Sequence, residues 1–126
     1  GAEPMIKDGC LENVNVIFGL HVDPMTEAGK IGIKYAAMNA SSTYVDIKIK
    51  GKSCHGAYPS EGTDAVLAAA HVITAVQSIV SRNIDSRDSV VITFGIIQGG
   101  EKENIVAEEV ICKGTMRTLS NETKTR

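Results

Sequence analysis

Cysteine is scarce in this 126-residue chain: Cys10, Cys54 and Cys112 are the only three, and no pair has CxxC spacing. An odd, sparse set argues against a disulfide scaffold and favours a reducing, cytoplasmic compartment. A basic block is also missing. Lys and Arg number 13 against 15 Asp and Glu, for a net charge of −2, so the charge footprint of a nucleic-acid binder is absent. No apolar run approaches the roughly 20 residues that cross a bilayer, and the opening Gly1-Ala2-Glu3-Pro4 has no signal-peptide shape. The sequence also lacks HxH, HExxH, GxxxxGK[ST] and GxGxxG, so spacing alone yields neither a complete metal site nor a phosphate loop. What remains is 43% apolar and 22% charged, the make-up of a globular chain of about one domain.

The strongest periodic segment runs from Asp64 to Ser81. Thr63 or Asp64 offers an N-cap oxygen, and Val66, Leu67, Ala70, Ile73, Val76, Gln77 and Val80 follow helical spacing. Val45 to Lys50 alternates apolar and polar without interruption, as a half-buried strand does. Val90 to Ile97 is apolar on both faces and is expected in a central or doubly covered strand. Glu109 to Met116 alternates again, and Leu119 onward, with Ser120 as N-cap, is expected to begin a second helix. Strand, helix, strand, strand is most of a ferredoxin-like β-α-β-β-α-β unit, making the fold class α+β. Before it, Met5 to Cys10 is expected to be a helix tail closed by Gly9, and Val14–Val22 and Lys30–Met38 are expected to be strands belonging to a neighbouring domain.

Three histidines, His21, His55 and His71, are available for chemistry. His21, in Gly19-Leu20-His21-Val22-Asp23-Pro24, ends an apolar segment, where ligands commonly emerge. The ordinary alternative is a hydrogen-bonded edge histidine. His55 lies among small residues in Ser53-Cys54-His55-Gly56-Ala57-Tyr58-Pro59. From there an imidazole can donate to developing negative charge, or simply face solvent. His71 falls on the helix's polar stripe and carries no assigned chemistry. Asn104 follows the Gly99-Gly100 turn. Arg117 ends the last strand, either as part of a solvated face or as a clamp for a carboxylate.

The stretches GAEPMIKDGCLE, IFGLHVDP, GKIGIKYAAMNASS, GKSCHGAYPSEGTDAV and GGEKENIVAEEV to GTMRT together resemble the M20 metallopeptidase family. Its amidohydrolase branch of N-acyl-amino-acid and hippurate hydrolases is the nearest. The resemblance implies a catalytic domain with two divalent metal ions (Zn, Mn or Co) and an inserted ferredoxin-like lid that dimerises. On that resemblance, residues 1–42 are the end of the first catalytic half and 43–126 are most of the lid, without its last strand. His21 matches a metal ligand, His55 the lid histidine that polarises the scissile carbonyl, and Asn104 and Arg117 positions that hold the substrate's carboxylate. The implied partners are a second subunit and an N-acyl amino acid or small peptide, with no nucleic acid and no membrane. A lone His21 cannot hold a two-metal centre, so the 126-residue chain is expected to be inactive by itself and to bind no metal. It is expected to self-associate, with Val45 to Lys50 as an exposed edge. The competing reading is a non-enzymatic ferredoxin-like dimerisation or ligand-binding module.

Overall fold

A computed structural model describes residues 1–125. The chain divides into two compact units, Gly1–Ile33 and the residues from Lys34 onward.

In the first unit, helix α1 spans Ala2–Lys7. Pro4 is tolerated in its first turn, where the missing N–H would have no helical partner. Glu3 and Lys7 pair at 2.8 Å on an exposed face. The helix stops earlier than Met5–Cys10 predicts, because Gly9 takes φ +85° and its turn closes with the Cys10 amide on the Met5 carbonyl at 3.1 Å. The expected strands at 14–22 and 30–38 are absent. A strand exists only where a partner accepts its ladder of hydrogen bonds, and no such partner is found among the described residues. Accordingly Val16, Ile17, Phe18, Leu20 and Val22 are exposed.

The second unit contains β1 (Ser41–Lys50), β2 (Cys54–His55), α2 (Ala65–Arg82), β3 (Val90–Gly99), β4 (Ile105–Val106), β5 (Glu109–Thr118) and α3 (Asn121–Thr125). β1, β5 and β3 form an antiparallel sheet in that order, the first–third–second arrangement of a ferredoxin-like unit. β2 and β4 form a separate two-stranded ribbon. β1 alternates without fault, its odd-numbered residues facing inward and its even-numbered residues outward.

Contrary to its apolar composition, β3 is an edge strand. β5 holds the centre, with Val110 and Cys112 buried at 1% and 0% exposure. Pairing sets a strand's place in the sheet, and β3 leaves Val91, Ile96 and Ile97 exposed. Gly114 is required in β5, because a Cβ there would run into the Thr93 carbonyl beside the register shift between Phe94 and Ile96.

Asp64 caps α2, its carboxylate accepting from the amides of Val66 and Leu67 at 2.8 and 2.9 Å. The buried stripe is rotated from the predicted one. Ala65 and Ala69 pack with Val110 and Cys112, flanked by Ile47, Ile49, Ile73 and Phe94, while Val66 and Leu67 are exposed. Alanines let the helix approach the sheet closely, and larger side chains at those positions would hold it off. By length and composition alone α2 passes for a membrane span, yet its stripe lies on the sheet. α3 follows with the Ser120 hydroxyl accepting from the Thr123 amide at 3.3 Å.

Candidate functional site

The short ribbon is what joins sequence-distant candidates. His55 pairs with Ile105 and Cys54 with Val106, and the Gly56 amide donates to the Asn104 carbonyl at 2.7 Å. His55 and Asn104 therefore sit on adjoining segments, both exposed. Gly56 permits the approach, since a Cβ there would lie 3.0 Å from the Asn104 oxygen and 3.2 Å from its carbonyl carbon.

The segment that joins β1 to the ribbon is pinned to the loop before α2 and to the residue before β5. The Lys52 amide donates to the Thr63 carbonyl at 3.0 Å and the Thr63 amide to the Lys52 carbonyl at 2.9 Å, while the Gly51 amide binds the Glu108 carbonyl at 2.6 Å. Next to it an open cleft of about 610 Å³ is lined by Gly56, Asp64, Val66, Gly100, Lys102 and Ile105, among others.

The His55 ring is held from two sides. Its Nδ1 accepts from the Ala57 amide at 3.1 Å, and the Tyr58 ring lies 5.6 Å away, tilted by 48°. A turn closed by the Tyr58 amide on the His55 carbonyl at 2.8 Å brings both groups round the imidazole. Neither Ala57 nor Tyr58 is singled out by sequence reasoning; the available signal was an aromatic three residues after a histidine in a segment of small residues.

Arg117 is not brought to this site within one copy. It lies at the far end of β5, opposite Ser42 and Val91, with its side chain exposed. The ribbon joins the sheet near Glu108, and the strand between covers on the order of 25 Å at the usual rise per residue.

His21 belongs to the first unit. Its Nδ1 bonds the Val22 carbonyl at 2.7 Å. Asp23 beside it is held below the ordinary carboxyl value, chiefly by the Thr26 hydroxyl and the Met25 amide, with His21 adding a smaller effect. No group of three or more His, Cys, Asp or Glu able to hold an ion occurs among the described residues. A histidine whose other ring nitrogen donates to a backbone carbonyl is the usual form of a single metal ligand. The donor set fits one ligand and does not fit a complete centre.

The sequence from 38 to 126 matches the peptidase dimerisation domain family. The chain is 43% identical to N-acetyldiaminopimelate deacetylase of Priestia megaterium over 128 aligned residues, covering all of this chain and 34% of that protein. A structure assigned as an aminohydrolase, from methicillin-resistant Staphylococcus aureus, superposes with a TM-score of 0.88 at 30% identity, over 99% of this chain and 33% of the other. A tripeptidase from Staphylococcus aureus aligns over 68% of this chain and 22% of its own, with a TM-score of 0.54 and 29% identity. The chain thus spans about a third of the length of that deacetylase and of that aminohydrolase. Sequence match and fold agree: this chain belongs to the M20 amidohydrolase family, and it carries that family's dimerisation domain.

Proposed function

We propose that this chain is the dimerising lid segment, from about residue 43, and an adjoining catalytic piece of a cytoplasmic, metal-dependent amidohydrolase. The reaction is hydrolysis of the amide bond of an N-acyl amino acid. An N-acetylated diamino acid is the first substrate to test, given the activity named for the deacetylase relative. One observation carries the reading. The β2–β4 ribbon holds His55 and Asn104 side by side, exposed, on a backbone that the Gly56 contact keeps in register.

In this reading the His55 imidazole donates to the scissile carbonyl as negative charge develops on its oxygen. Asn104 supplies a neutral donor next to it, and Arg117 offers a planar fork for the substrate's carboxylate. The run of β5 between the ribbon and Arg117 means that one copy cannot close both groups on one small substrate. That separation favours a dimer in which His55 of one subunit serves the site of the other. His21 would hold a divalent ion in the whole protein as one of several ligands, and such an ion would supply an activated water.

The test is His55→Ala in the intact protein. Loss of one oxyanion donor is expected to lower kcat by about 10²- to 10³-fold, with KM changed far less. An unchanged kcat would overturn the assignment. Asn104→Ala and Arg117→Ala are expected to act mainly on KM.

A further inference from the structure

The backbone around His21 and His55 makes opposite demands on the two imidazoles. At His21 the partner of Nδ1 is the Val22 carbonyl oxygen, at 2.7 Å. A carbonyl can only accept, so Nδ1 must carry the proton. At His55 the partner of Nδ1 is the Ala57 amide nitrogen, at 3.1 Å. An amide can only donate, so Nδ1 must present its lone pair. A neutral imidazole has one protonated nitrogen and one bare one. We infer that local backbone hydrogen bonds lock the two histidines in opposite tautomers: His21 with a bare Nε2, and His55 with a protonated Nε2.

The consequence rests on the function proposed above. A bare Nε2 can bind a cation and cannot donate, whereas Nε2–H can donate to a carbonyl oxygen and cannot bind a cation. Each ring is thus preset for the role its sequence position suggests. The opposite tautomer at His55 would turn a lone pair toward a substrate oxygen, which is repulsive. Ala57 and Tyr58 are then positioning residues. The Ala57 amide selects the tautomer, and the Tyr58 ring, tilted against the imidazole from a turn closed by the Tyr58 amide on the His55 carbonyl, limits rotation of its Nδ1 edge away from that amide. His71, on the exposed side of α2, provides an internal reference.

Long-range proton–nitrogen spectra of the ¹⁵N-labelled 126-residue chain resolve protonated from bare ring nitrogens. They should be recorded about two pH units above the ordinary free-imidazole value of about 6.5, because only a neutral ring has tautomers to distinguish. The expected pattern is a protonated Nδ1 in His21, a protonated Nε2 in His55, and the tautomer mixture of a solvated ring in His71. Replacing Ala57 with proline (Ala57→Pro) removes the amide hydrogen, and His55 should then move to the His71 pattern. Tyr58→Phe should preserve the wild-type pattern, and Tyr58→Ala should shift it toward that of His71.

A protonated Nδ1 in His55, a bare Nδ1 in His21, or a His55 ratio equal to that of His71 in the wild-type chain would each overturn the inference. The wild-type spectrum decides the matter even if Ala57→Pro fails to fold. The readout needs no turnover, so its failure is distinguishable from failure of the proposed reaction, which the kinetics of His55→Ala report.

Discussion

Single residues set the geometry of the ribbon through contacts that leave no room for a side chain. Gly56 is the case nearest His55, since its missing Cβ is what lets the Asn104 carbonyl come within 2.7 Å of its amide. Gly56→Ala must push Asn104 back by several tenths of an ångström or break that bond. Faster hydrogen exchange at the Gly56 amide is expected, with the rest of the sheet unaffected. An unchanged exchange rate would show that the ribbon yields without cost. In the intact protein the same change should reduce activity without altering the fold, because it moves His55 relative to Asn104. By comparison the Lys48–Glu109 ion pair, 2.8 Å long and about half exposed, should contribute little, about 1 kcal/mol at most.

Among the elements, α2 and β3 invite the clearest tests. The Asp64 carboxylate is the side-chain cap of α2, so Asp64→Ala should destabilise the chain by about 1 kcal/mol, visible as a lower urea midpoint with unchanged slope. The two sheet edges differ in character. β1 carries Asp46, Lys48 and Lys50 on its outward face, whereas β3 has no charged residue over its ten positions. Edge strands that must stay unpaired are usually protected by charge, so β3 is the edge open to a second copy. In a twofold interface a residue near the axis meets its own counterpart, and an inserted charge there repels itself. Val91→Lys on β3 is therefore expected to shift the chain toward monomer in sedimentation experiments, while Tyr44→Lys on β1 leaves association unchanged. Equal effects of the two changes would place the contact elsewhere. The sequence predicts an exposed edge at Val45 to Lys50, with self-association through it or through the family's lid contact. β1 is indeed an edge, but its charges argue against its use.

At the scale of the whole molecule, the family match to a dimerisation domain and the absence of a multi-residue metal site among the described residues lead to one joint expectation. The purified chain should self-associate yet give no turnover of N-acetyl or N-benzoyl amino acids with added Zn²⁺, Co²⁺ or Mn²⁺. Measurable turnover would show that the chain builds a complete site, and a strictly monomeric chain at high concentration would count against the lid contact. Much of this was legible beforehand. The alternation of Val45 to Lys50, the capped apolar run after Asp64 and the alternation from Glu109 to Met116 are local periodicities, and a side-chain period is a property of consecutive residues. These determined the elements and, with their order, the α+β class. The family resemblance marked His21, His55, Asn104 and Arg117 as candidates. Only the tertiary structure decided that β5 and not β3 is central, that Ala65 and Ala69 and not Val66 and Leu67 meet the sheet, that no strand forms at 14–22, and that His55 adjoins Asn104 while Arg117 lies a strand's length away. Each of those outcomes depends on which distant segment supplies a hydrogen-bonding or packing partner, and the partner's identity is not written in the pattern of the segment that receives it.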